Sequence, residues 1–242
     1  MDKRNQMTTL ESLPNEILLM IFRYINSIDL LLSFNGLNSR FNALLNNQYY
    51  PHCFIFDSIS KHTFDTICQD HLPFMANRVI SLHFGNNEHG YTKLSLFRSY
   101  IPSFISFTQL RSLTFESIVS YEMLRNIINE CHQLSHLSFL KFIMCKLEDN
   151  DTDMQLVVDN IWSLPKLTLC TLDIRGEDFG FLNDEHFCMP KTVSLSMEYL
   201  EISMMFNFKA NEINHLIKQT PHLKHLSVCP TFTNALTNVS II

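Results

Sequence analysis

The chain has 242 residues, 46% of them apolar and 17% charged, and carries a net charge of −6. That balance excludes a disordered polymer, and the scattered basic residues exclude the concentrated cationic face that nucleic acid demands. The longest apolar run, Ile17 to Phe22, falls far short of the ~20 residues that cross a bilayer.

Met1-Asp2-Lys3-Arg4-Asn5 lead into no apolar stretch of the signal-peptide kind. From Leu13 onward, apolar residues at Leu13, Ile17, Leu18, Ile21, Phe22 and Ile25 fall on one helical stripe. Pro14 suits the first turn of a helix, and Glu16 lies at the positive end of its dipole. The helix is expected to stop near Asn26, with Ser27 and Asp29 as cap and first-turn acid of a second. That second segment buries Leu30, Leu31, Phe34, Leu37, Phe41, Leu44 and Leu45 at the same spacing. Only a few polar residues separate the two, which predicts a short helical hairpin. Such a hairpin is too small to bury its own apolar surface. Its stripe is also wide enough to pack one face on the following domain and offer the other to a partner.

The string from Leu13 to Leu45 resembles an F-box, the helical motif that docks a protein onto the linker subunit of SCF ubiquitin ligases. The matching residues are Leu13, Pro14, Glu16, Ile17, Leu18, Ile21, Phe22, Tyr24, Ile25, Asp29, Leu30 and Leu31, then Leu37, Arg40 and Phe41. Leu37-Asn38 and Phe41 depart from the family, which often has Val-Cys and a closing Trp there. The resemblance implies that Leu13, Pro14, Ile17, Leu18, Ile21, Phe22 and Leu30 face the linker subunit, over a module spanning residues 8–50.

From residue 51 to 242 a strand-like phrase recurs. It begins at Val79, Leu110, Leu134, Leu169, Met197 and Leu223, at steps of roughly 24 to 35 residues. Each copy is apolar at its first, fourth and sixth positions, and the last two positions point inward along a short strand. His52 to Phe56 is a weaker first member. Helical segments are expected between the strands over Leu94 to Ile105, Tyr121 to Cys131, Asp153 to Trp162 and Asn211 to Gln219. Thr152 to Gln155 reads as a capping box for the third.

Strand and helix in alternation imply an α/β fold, and the period resembles an irregular leucine-rich-repeat solenoid of parallel strands each followed by a helix. No Asn or Cys recurs at a fixed place after the strand, unlike the best-known repeat consensus, and an ordinary α/β domain gives a similar pattern. The target surface of such a solenoid is its sheet face. Here that face implies Ser112, Thr114, His136, Ser138, Thr171, Asp173, Glu201, His225 and Ser227 as substrate-binding residues.

Nothing in the chain marks an active site, and no catalytic residue, metal or cofactor is expected. The five glycines form neither GxGxxG nor a P-loop. The acidic run Glu148 to Asp153 begins like a calcium loop but has Met154 where the turn needs Gly, and Asn160 where a bidentate Glu belongs. The pairs His132/His136 and His222/His225 lack the helical spacing that brings two rings to one metal. Seven single cysteines, with no CxxC pair, are the usage of a reducing compartment, so the expected location is cytoplasmic or nuclear.

Together these readings predict the substrate-recognition subunit of an SCF-type ubiquitin ligase. It would be joined to the linker subunit and cullin scaffold, hold a target protein on its repeats, and contact neither nucleic acid nor membrane. The alternative is a stand-alone leucine-rich-repeat interaction scaffold that never joins a ligase.

Overall fold

The computed structural model describes residues 9–46, 51–85, 93–147, 153–176, 187–204 and 209–230. The acidic run at 148–152, the Thr152 end of the expected capping box and the C-terminal residues 231–242 lie outside them.

Three short helices come first: α1 (Asn15–Phe22), α2 (Ser27–Phe34) and α3 (Ser39–Leu45). This corrects the expected two-helix hairpin. The second segment breaks at Gly36, whose φ of 84° is open to glycine and strained for other residues. Asn38 then starts α3 by accepting the Phe41 N–H at 2.9 Å. The first helix also ends four residues early, because Asn26, not Ser27, caps α2 through the Ile28 N–H at 3.1 Å. Ser27 is buried and accepts the Cys53 N–H at 3.0 Å, which fastens α2 to the first strand.

The rest is one seven-stranded parallel sheet in sequential order: β1 (His52–Ile55), β2 (Val79–Phe84), β3 (Ser112–Glu116), β4 (Phe139–Leu147), β5 (Leu169–Gly176), β6 (Tyr199–Met204) and β7 (His225–Pro230). Parallel neighbours need crossovers, and most of these are helical. Between β1 and β2 lie α4 (Lys61–Thr66), a π turn (Ile67–His71) and α5 (Leu72–Met75). Next come α6 (Lys93–Tyr100), α7 (Tyr121–Cys131), α8 (Met154–Trp162) and α9 (Ala210–Gln219), which lie in the four stretches read as helical. The first is shorter than expected: α6 stops at Tyr100, and only a 3-10 turn at Phe104–Ser106 follows at the expected end, Ile105. Asp153 caps α8 by accepting the Leu156 N–H at 3.0 Å. The β5–β6 crossover departs from one helix per strand: its described part, 187–198, is extended and turned.

Alternation along each strand sorts the side chains into two faces. On the helix-covered face, Phe54, Leu82, Leu113, Leu140, Cys170, Leu200 and Leu226 stand in register, all buried. Beside them Phe56, Phe84, Phe115 and Phe142 stack one upon the next. Their centroids are 5.4, 5.6 and 5.6 Å apart, close to the ~4.8 Å strand spacing. Phe97 from α6 and Phe104 close over this ladder, at 4.8 Å and 6.1 Å from Phe84. The side chain of Glu130 holds the next layer together by accepting from Arg98, Ser103 and the Phe104 N–H.

The register moves two of the expected phrases. Leu113 pairs with Leu140 and Phe115 with Phe142, so the third copy begins at Leu137, three residues beyond Leu134. Leu140 pairs with Cys170, so the fourth begins at Leu167, two before Leu169. With these shifts the steps tighten to roughly 26 to 31 residues. The backbone carries the same beat: the carbonyls of Arg111, Ser138, Thr168 and Glu198 each accept two consecutive N–H groups from the following unit.

Candidate functional site

Among the described residues, two exposed surfaces carry the positions singled out in the sequence. On the three helices, the seven residues expected to face a partner divide by burial. Leu18, Phe22 and Leu30, implied by the resemblance as linker-facing, are fully buried within the chain. Phe22 sits 5.0 Å from Phe34 and 6.3 Å from Phe41, an aromatic trio that is the small core of this region. Leu13 and Ile21 are half-buried, while Pro14 and Ile17 are exposed. Met20 and Tyr24, 56% and 91% exposed, extend the open side of α1. Met20 was missed because it sits between two residues already assigned to the stripe; its spacing from Ile17 was the available signal.

Arg40 fixes the start of that face. From α3 its guanidinium donates to Asn15 Oδ1 at 2.8 Å and to the carbonyls of Glu11 and Leu13. Asn38 Nδ2 adds a bond to Glu11 Oε1 at 2.9 Å. Pro14 and Ile17 are therefore carried on a clamped segment, and an apolar face held this way loses little freedom when a partner covers it.

The second surface is the face of the sheet turned away from the helices. One row runs Cys53, Ser81, Ser112, Phe139, Leu169, Tyr199, His225; the next runs Ile55, His83, Thr114, Lys141, Thr171, Glu201, Ser227. Parallel sheets normally have both faces covered, so rows half-exposed or exposed at every position but Thr171 stand out. Ser112, Thr114, Glu201, His225 and Ser227 lie on this face as expected. His136 and Ser138 do not, because the three-residue shift places them before β4. The same shift turns Phe139 outward, 41% exposed, since an odd slip exchanges the two faces of a strand. Phe139 and Lys141 thus occupy the places given to His136 and Ser138.

Thr171 and Asp173 are buried, which corrects their reading as contact residues. Thr171 donates its hydroxyl to Glu201 at 3.2 Å. Asp173 Oδ2 accepts the Met144 N–H at 3.1 Å where β4 bulges against β5, and Met144 takes a φ of 48° there. The carboxylate satisfies a donor that the bulge removes from the ladder.

Little else on these surfaces is chemically poised. Burial pushes the Cys131 and Cys145 thiols up to about 12 and raises those of Cys68 and Cys170, so these sulfurs act as packed apolar groups. Among the described residues no three His, Cys, Asp or Glu side chains converge as a metal site. His132, His136, His222 and His225 are all exposed. Nor is any described helix long and apolar enough to cross a membrane. No family model matches the chain, and no curated protein matches it.

Proposed function

We propose that this chain is the substrate-recognition subunit of an SCF-type ubiquitin ligase. Its three N-terminal helices act as an F-box that docks on the linker subunit and, through it, on the cullin. The irregular leucine-rich repeats hold the target. The observation that carries the reading is the division of α1 and its flanks: Leu18 and Phe22 are spent on the core, while Pro14 before it, Ile17 and Met20 on it and Tyr24 after it stay open. A helix presenting such a row to a groove follows a common mode of recognition. The chain then needs no active site, because holding a target beside a charged conjugating enzyme raises the effective concentration of its lysines.

The test mixes purified chain with purified SCF linker subunit and reads complex formation by calorimetry and gel filtration. Wild type is expected to form a one-to-one complex. Ile17→Glu with Met20→Lys is expected to lose at least ~30-fold in affinity, since truncating one buried anchor costs ~2 kcal/mol or more. Circular dichroism checks that the variant stays folded. A folded wild-type chain that takes up no linker subunit sinks the ligase reading and leaves the stand-alone repeat scaffold.

A further inference from the structure

The open face of the sheet is not uniform. Over β1–β3 it is mostly small and polar, Ile55 apart, and His83 Nε2 lies 2.9 Å from Glu116 Oε1. Over β4–β6 Phe139, Leu169 and Tyr199 form a continuous apolar row, with Phe139 and Tyr199 exposed. The adjoining row carries Lys141 and Glu201 on either side of buried Thr171. Neither charge meets an oppositely charged side chain among the described residues. An apolar row bordered by a cation and an anion, neither of them ion-paired among the described residues although Glu201 accepts the Thr171 hydroxyl, asks for a ligand with the complementary pair.

The backbone restricts the form of that ligand. β5 is hydrogen-bonded to β4 on one side and β6 on the other, so nothing can join here as an added strand. Contact must be made by side chains laid across the strands. Neighbouring positions in a row are ~4.8 Å apart. Side chains one turn apart on an α-helix are spaced ~5.4 Å along its axis, whereas alternate residues of an extended chain are ~6.6 Å apart. Lys141 and Glu201, two strands apart, are separated by ~10 Å, close to the ~10.5 Å between helix residues seven apart.

We infer that the β4–β6 patch binds an amphipathic α-helix of a protein target, lying across the strands. Its apolar stripe rests on Phe139, Leu169 and Tyr199, and an acidic and a basic residue seven apart meet Lys141 and Glu201. The inference rests on the reading of the repeats as the part that holds a target. Its test leaves out the linker subunit, so the two readings fail separately.

The probe is a displayed library of helical peptides with a fixed leucine stripe and randomised flanking positions, selected against the purified chain and against Glu201→Lys. Wild type is expected to enrich one acid and one base seven residues apart by tenfold or more over the input. Glu201→Lys, an exposed change, is expected to enrich two acids at those positions instead. The best wild-type helix should lose at least tenfold in affinity to Phe139→Ala with Tyr199→Ala, while the emission of buried Trp162 confirms the fold. Failure of the folded chain to enrich any helix overturns the inference. So do identical charge preferences for wild type and Glu201→Lys, or an affinity that ignores the two aromatic residues.

Discussion

The helices at the start of the molecule and the sheet that follows handle aromatic side chains differently. In the sheet, Phe56 just past β1, then Phe84, Phe115 and Phe142, repeat one position, so the two inner rings are covered on both sides by their equivalents. In the helices, Phe22, Phe34 and Phe41 form a trio of mutually tilted rings, one from each helix. A ladder grows by adding units, and each unit covers its neighbour. A trio has no such repeat, and Ile17 and Met20 of α1 stay exposed outside it. The difference teaches how each region builds its share of one core: the sheet by repeating a position from strand to strand, the helices by gathering one ring from each.

The largest effect is expected from cutting the ladder. Phe115→Ala removes a buried ring that stacks on Phe84 and Phe142 and lies 5.8 Å from Phe104, at a cost of about 3–5 kcal/mol. Loss of helical signal and of Trp162 burial should coincide in its denaturation curve. Phe22→Ala makes a comparable cavity of about 3 kcal/mol in the trio. Trp162, buried on α8, should report almost none of it if the ladder stands by itself. A Trp162 midpoint that shifts as far for Phe22→Ala as for Phe115→Ala would show that the two regions melt as one.

The seam between them is set to respond to acid. His52 begins β1, is buried, and lies 6.0 Å from the Phe54 ring. Burial first, then the nearby Arg78 charge, lowers its pKa from 6.5 to about 4. Above pH 6.5 the imidazole is neutral in both folded and unfolded chains and stability does not depend on it. As pH falls from 6.5 to 4, the unfolded chain gains a proton that the folded one refuses. Stability therefore drops by about 3 kcal/mol in total and then levels off. Urea midpoints at pH 7, 5.5 and 4 should show this fall, and His52→Gln should flatten it.

A smaller seam effect comes from Ser27→Ala, which leaves the half-buried Cys53 N–H without its acceptor at a cost of about 1 kcal/mol. If α2 is fastened to β1 chiefly by this bond, protection of the Cys53 amide against hydrogen exchange should fall in the variant. Unchanged protection would mean that apolar contact alone joins the regions.

The same contrast explains what was legible in the sequence. All four longer helices after the first crossover follow from their 3.6-residue spacing, and six of the seven strands follow from the recurring phrase. Its placement was less secure because Leu134-Ser135-His136-Leu137-Ser138-Phe139 and Leu137-Ser138-Phe139-Leu140-Lys141-Phe142 are both complete copies. Only pairing with β3 selects the second, and pairing is a tertiary fact. That one choice decides whether His136 or Phe139 faces outward, so the apolar half of the sheet face was hidden. In the helices the Asn35-Gly36 pair was a visible turn signal, outweighed by the run of apolar spacing on either side. The burial of Leu30 followed from its spacing, but that of Leu18 and Phe22 did not, because a stripe shows which residues share a face and not what covers it.

The smallest expected change in stability is the one that separates the two regions most sharply. Ile17 is the third residue of α1 and Met20 lies near its end, both on the open side. Glu is favourable in the first turn of a helix and Lys in the last, because each opposes the helix dipole. Ile17→Glu with Met20→Lys should therefore leave the unfolding midpoint within about 0.5 kcal/mol of wild type, as exposed positions usually do. A loss of 2 kcal/mol or more would mean that these side chains are covered by the molecule itself, and the face offered to a partner would not exist. Unchanged stability with lost linker binding would mean that the open side of α1 is kept for assembly, whereas every ring of the ladder is kept for folding.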